Sequence, residues 1–193
     1  MAKIKTAYEK ALERISEMNL GDVDVSSMEY GPKGGAAAAQ FLWDKDLDLL
    51  AELEKYGEEV RGYVRQGMED ALLRNIQLPK DESAQDTNRR AMDGLLAVKK
   101  DKTVLKQIFT ELEYLFNYYM QALEHTYTNL KESFSNRITH AQQALERQLG
   151  AKIRVDVERH PGFLEEWLRV QGQLDAQYEP VLAEQKEKIR RLN

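Results

Sequence analysis

Apolar residues recur along most of this chain at steps of three and four, the period of one face of an α-helix. The longest such run is Thr103 to Leu149, which contains no proline or glycine, follows an N-cap candidate at Asp101 and ends at Gly150. Its seam passes through Ile108, Leu112, Leu115, Tyr119, Leu123, Thr126, Leu130, Phe134, Ile138, Ala141, Leu145 and Leu149. One helix of that length extends about 70 Å, whereas a compact globule of this chain length has a radius of gyration of about 16 Å. Other helices must therefore run beside it, or a second copy or another protein must cover part of it. The fours that interrupt the heptad unwind a left-handed supercoil, which favours a nearly straight bundle over a uniform two-stranded zipper.

Three further stretches repeat the pattern. Ile4, Tyr8, Ala11, Leu12, Ile15 and Met18 mark an amphipathic helix ended by Gly21. Phe41 to Leu78 reads as a long helix, with Leu42, Leu49, Leu50, Leu53, Tyr56, Val60, Val64, Met68, Ala71 and Leu72 near one stripe. Gly57, Gly62 and Gly67 interrupt it, either softening or kinking the helix or, at Gly57 or Gly67, admitting a neighbouring helix closely. After His160-Pro161-Gly162, a proline suited to a first helical turn, the residues Leu164, Trp167, Leu168, Leu174, Tyr178, Val181, Leu182, Ile189 and Leu192 form the last stripe, which Pro180 should kink or divide. A shorter helix, capped by Asp81 or Ser83, carries Ala84, Asn88, Ala91, Leu95 and Val98.

Between these elements the pattern changes. Asp22 to Ala39 is rich in glycine, serine, aspartate and alanine and reads as a mobile linker. Its glycines lack the Gly-Lys-Ser/Thr ending of a phosphate loop. Ile153, Val155 and Val157 alternate with Arg154 and Asp156, a strand pattern whose partner would be Asp22 to Ser26.

Lys3-Ile-Lys-Thr-Ala-Tyr-Glu-Lys-Ala-Leu-Glu-Arg14 resembles the opening segment of an uncharacterised bacterial family of helical proteins. The resemblance covers about a dozen residues. It implies a bacterial origin and brings no known activity.

Composition narrows the function classes. With no cysteine, disulfides, thiolate nucleophiles, zinc ribbons and iron–sulfur clusters are excluded, which fits a reducing cytoplasm. A net charge of −5 with interspersed signs gives no general affinity for nucleic acid or an anionic membrane. No apolar run is long enough for a membrane span, and the opening residues lack a signal-peptide core. Lys99, Lys100 and Lys102 sit where lysines suit the negative end of a helix dipole; a phosphate or nucleic-acid role for them is the alternative.

No catalytic, cofactor or metal constellation is visible. None of the three histidines is preceded at three residues by a glutamate, the pairing a bundle di-metal site needs. No Gly-x-Ser-x-Gly elbow occurs. The most distinctive composition is Tyr114 to Tyr127, apolar or amphipathic nearly all round. It is read as the thickest part of the core or as an aromatic ligand or partner patch of Tyr114, Phe116, Tyr118, Tyr119, Tyr127 and His125.

The expectation is an all-α, elongated, coiled-coil-like bundle over residues 41–193 with one very long helix and a minor two-stranded patch. A linker over 21–40 would tether an N-terminal helix over 1–20. The expected role is a cytoplasmic, non-enzymatic interaction or scaffold protein that self-associates, first as a homodimer, with no cofactor. The alternatives are a small-ligand carrier using the aromatic patch and an enzyme without a recognisable motif.

Overall fold

The computed structural model describes residues 25–149 and 156–192. Among these residues six helices follow one another: α1 (Val25–Trp43), α2 (Leu49–Glu54), α3 (Glu58–Asn75), α4 (Glu82–Val98), α5 (Lys102–Leu149) and α6 (Pro161–Arg191). No strand occurs among the described residues. Of the expected two-stranded patch, Val25 and Ser26 instead form the first turn of α1 and Val157 lies in a bend, while 22–24 and 152–155 lie outside the described residues. The amphipathic segment over 1–20 also lies outside them.

The linker expectation is corrected by α1, which is helical from Val25 through the glycines and alanines to Trp43. In isolation its glycines would each cost about 1 kcal/mol against alanine, and Pro32 gives up a backbone hydrogen bond. Packing against α3 offsets this. A Cβ on Gly34 would stand 1.9 Å from the Val64 carbonyl oxygen, and one on Gly67 would stand 1.9 Å from the Gly31 carbonyl oxygen. The two backbones touch where α1 and α3 cross, and Ala38, Phe41, Val64 and Met68 are buried beside the contact. Small residues that leave a chain loose in water are the same residues that let two helices meet backbone to backbone, so composition alone could not separate the two outcomes.

The single helix expected over Phe41 to Leu78 is divided into the end of α1, α2 and α3. Asp48 caps α2, its carboxylate accepting from the Leu50 and Ala51 amides. Gly57 is the extended N-cap of α3, with φ −62° and ψ 154°, so it starts a helix and does not serve a close approach. Of the two glycines considered for that role, Gly67 holds it. Arg90 of α4 then closes the far end of α1. Its guanidinium donates to the carbonyls of Phe41, Asp44 and Lys45 at 3.0, 2.9 and 3.3 Å and stacks over the Phe41 ring, supplying donors to carbonyls that have no partner within the helix.

The turn between α3 and α4 is held by one buried amide. Asn88 Nδ2 donates to the Gln77 carbonyl at 2.7 Å and Asn88 Oδ1 accepts from the Gln77 amide at 2.8 Å, while Asp81 caps α4 through Ala84 N. Replacing Asn88 by alanine removes the partners of the Gln77 main-chain N–H and C=O and leaves a small void. We expect Asn88→Ala to lower stability by about 2 to 3 kcal/mol, read as a lower urea midpoint with an unchanged slope.

Chain order then lays α4 back along the first half of α5. Asp101 caps α5 through Val104 N, and the Gln85 side chain reaches Met120 Sδ. Helix α6 returns antiparallel to α5: Arg137 pairs with Glu166, Tyr127 packs on Trp167, Tyr119 bonds Asp175 and Gln185 donates to Glu111. Pro180 does not divide α6, which is continuous from Pro161 to Arg191. The proline faces solvent, as does Ala176, whose carbonyl loses the bond, so water can satisfy it. The core gathers where all six helices can reach: Leu49, Met68, Leu72, Leu73, Ile76, Leu95, Leu105, Leu112, Tyr119 and Ile189 are fully buried.

Candidate interaction face on α5 and α6

Residues Tyr114 to Tyr127 occupy the middle of α5, and the structure sorts the six expected patch residues three ways. Phe116 and Tyr119 are buried in the core. Tyr127 is half-buried against α6. Tyr114, Tyr118 and His125 face solvent, the two tyrosines 62% and 65% exposed. The six therefore form no common pocket.

Tyr119 sits where α5, α6 and the turn before α4 meet. Its hydroxyl donates to Asp175 Oδ1 at 2.6 Å, Asp175 Oδ2 accepts from Lys80 Nζ at 2.8 Å, and its ring meets Tyr178 edge-on at 5.3 Å. Burial, followed by the hydrogen bond to Asp175, holds the phenol well above its ordinary value, so at neutral pH it stays protonated and donates. This arrangement is structural: the polar tip of a buried aromatic has its partner, and that partner ties in the loop lysine.

Past Met120 the neighbour of α5 among the described elements is α6. The faces are joined by an aromatic row in which Tyr127 meets Phe163 and Trp167 at 5.7 and 5.0 Å and Phe134 meets Phe163 and His160 at 5.5 and 5.2 Å. His160 begins α6 as its N-cap, Nδ1 accepting from Gly162 N. Tyr127 Oη and Lys131 Nζ both donate to Glu158, whose carboxyl is held below its ordinary range by Lys131 first and Tyr127 second. Two helices cannot enclose a seam, however. Leu123, Thr126, Leu130 and Ile138 are only half-buried, and on α6 Leu164 and Leu168 are 47% and 67% exposed.

Leu164 and Leu168 were expected on the buried stripe of α6. The buried side follows Phe163, Trp167, Leu174, Tyr178, Leu182, Gln185 and Ile189, five of which the expected stripe held, and Leu164 and Leu168 form a second apolar stripe of α6 with no partner among the described residues. A count of apolar residues around the helical wheel would have found both. Asp175, beside Leu174 and Tyr178, was missed as the tyrosine's partner because sequence spacing does not show which charge a fold will enclose.

Among the described residues no three histidine, cysteine or acidic side chains come together as metal ligands, and no described helix is long and apolar enough to cross a membrane.

These features define an all-helical protein whose last two helices form an antiparallel pair with apolar side chains facing water. The chain belongs to the family of unknown function DUF6657, whose model matches residues 50–191. That span takes in α3 to α6 and leaves out α1 and the opening segment over residues 3–14. No curated protein matches the chain, and no solved structure does.

Proposed function

We propose that this is a non-enzymatic helical interaction protein that self-associates as a homodimer through the distal α5–α6 pair. The observation that carries this reading is the exposure of Leu164 and Leu168 beside a seam that two helices leave half-open. Laying one pair against a second copy about a two-fold axis would make a four-helix arrangement, in which seam and stripe are both covered and the same patch meets itself. Charges of both signs flank the face, Lys131 and Glu132 on α5 and Glu165 and Arg169 on α6, so two copies can meet without net repulsion. In this reading the pair is the elongated, coiled-coil-like part of the molecule, and Tyr114, Tyr118 and His125 lie on a second exposed face available to a protein partner.

The chemistry of the aromatic segment favours this reading over a ligand carrier. A carrier would place free tyrosine hydroxyls in an enclosed cavity, whereas the hydroxyls of Tyr119 and Tyr127 are committed to Asp175 and Glu158. A cysteine-free, charge-rich composition supports a cytoplasmic location, and the opening segment supports a bacterial source.

Light scattering of the full chain should give twice the monomer mass at micromolar concentration. Leu164→Glu with Leu168→Glu should return it to monomer with the far-ultraviolet helix signal unchanged, because both side chains already face water. A monomeric mass for the unsubstituted chain, or a dimer indifferent to both charges, would sink the proposal.

A further inference from the structure

A second surface, away from the α5–α6 pair, carries charge without partners. The end of α6 and the α4–α5 junction close over α3 to form a groove of about 660 Å³, lined by Arg65, Glu69, Asp70, Lys99, Lys100 and Arg190. The acids are spoken for. Glu69 bonds Lys99 Nζ at 2.9 Å, a lysine whose side chain is 2% exposed and which also donates to the Leu192 carbonyl at 2.5 Å. Asp70 faces Arg190 at 3.9 Å, and Arg190 further donates to Glu187. Four cations against two acids leave a surplus of two positive charges in a chain whose net charge is −5.

That surplus resides on Arg65 and Lys100, neither of which has a side-chain partner among the described residues. Arg65 is the more telling of the two, since its Nε is buried and bonds nothing. The rest of the guanidinium has no hydrogen bond or ion pair among the described residues either, and Arg65 lines the groove, so its charge is left for an oxyanion there to meet. The floor beside it is open: one turn before Arg65, a Cβ on Gly62 would have nothing within 4 Å. A guanidinium without a counter-ion, a second free cation and an open floor make a receptor for a tetrahedral or planar oxyanion. The volume lies in the range that holds a small organic molecule and exceeds what a bare ion fills.

We propose that the groove between α3, the α4–α5 junction and the end of α6 binds a small phosphorylated molecule, with Arg65 and Lys100 holding the phosphate. Glu69 and Asp70 keep Lys99 and Arg190 in place and set the site's limit: they repel a ligand with acidic groups on both ends, so a phosphate monoester with an uncharged, hydroxyl-bearing remainder fits best. Nucleic acid fits poorly, because the positive region is one groove wide and the rest of the surface is acidic on balance.

The probes are inorganic phosphate and glycerol phosphate, with acetate as the simple-carboxylate comparison, titrated into the full chain and followed by amide and arginine Nε nuclear resonances. Saturable shifts in the low millimolar range at Arg65, Gln66, Lys99 and Lys100, including the Arg65 side-chain resonances, are the expected result. Glycerol phosphate should bind more tightly than phosphate, and acetate at least tenfold more weakly. Arg65→Met and Lys100→Met should each weaken binding about tenfold with unchanged melting temperature or a small gain. Gly62→Leu should fill the floor, leave every charge in place and abolish glycerol phosphate binding. Tighter binding of acetate than of phosphate would reassign the site to carboxylates and overturn the phosphate claim. Absence of saturation, or shifts that survive Arg65→Met, would overturn the site itself.

Discussion

Gly67→Ala is expected to destabilise the protein by about 3 kcal/mol or more, although alanine is the better helix former by about 1 kcal/mol. The added Cβ would lie 1.9 Å from the Gly31 carbonyl oxygen, 2.8 Å from its carbonyl carbon and 3.0 Å from its Cα, all of them backbone. No side chain can rotate away, so α1 and α3 must separate. Separation uncovers Ala38, Phe41, Val64 and Met68, which are buried along the crossing. Gly34→Ala meets the Val64 carbonyl oxygen at the same 1.9 Å and should act alike. The control lies in the same helix: at Gly62 a Cβ meets nothing, so Gly62→Ala should raise stability by about 0.5 to 1 kcal/mol through propensity alone. Urea denaturation of the three variants measures both signs. Equal small gains at Gly62 and Gly67 would show that the helices do not touch, whereas a loss at Gly67 against a gain at Gly62 requires the contact.

The same crossing marks what the sequence could and could not disclose. Where an apolar stripe is continuous, as in α4, α5 and the buried side of α6, the period of three and four locates the helix, because the residues facing the core must recur on one side. Asp81 and Asp101 were readable as caps since an aspartate before an apolar run has one economical use. Helix α1 was not readable. Its contact is made by backbone, and the residues that permit it are defined by a missing side chain, which a hydrophobic pattern does not register. The breaks at Asp44–Asp48 and Lys55–Gly57 were lost for the opposite reason: Leu49, Leu50 and Leu53 continue the stripe of Phe41 and Val64 by spacing while belonging to a short separate helix. Asn88 did stand among the stripe residues of α4, but spacing alone did not show that its amide would be buried against the Gln77 main chain.

The aromatic segment was half legible for a related reason. A helix apolar on several sides does need several neighbours, and Phe116 and Tyr119 have them. Tyrosine, however, tolerates water, so Tyr114 and Tyr118 could be placed in or out only by knowing where α6 runs. Because α6 follows one side of α5, the other side stays open. The molecule thus has one enclosed end, where α2, α3 and α4 complete the core, and one end where, among the described elements, α5 has α6 alone beside it. Self-association at that end and ligand binding at the opposite groove would use separate surfaces, since Leu164 and Leu168 lie near the start of α6 and Arg190 near its finish.

Tyr119 joins the two ends, and its substitutions should separate packing from hydrogen bonding. Tyr119→Ala removes a fully buried ring from between α5 and α6, together with its edge-on contact to Tyr178, and should cost about 3 to 5 kcal/mol. Tyr119→Phe keeps the ring and removes only the donor to Asp175, which retains Lys80, so the loss should be about 1 to 2 kcal/mol. The two differ again at high pH. The folded state holds the Tyr119 phenol above its ordinary 10.0, chiefly through burial and then through Asp175. A raised group contributes its full stability below the unfolded value and loses it as pH rises beyond, because the unfolded chain releases the proton first. The unsubstituted protein should therefore lose stability steeply above pH 10, and Tyr119→Phe should lose it less steeply, so that the two denaturation midpoints converge in alkali. Parallel curves across that range would mean that the hydroxyl is reached by water, and the hydrogen bond from a fully buried Tyr119 to Asp175 would have to be abandoned.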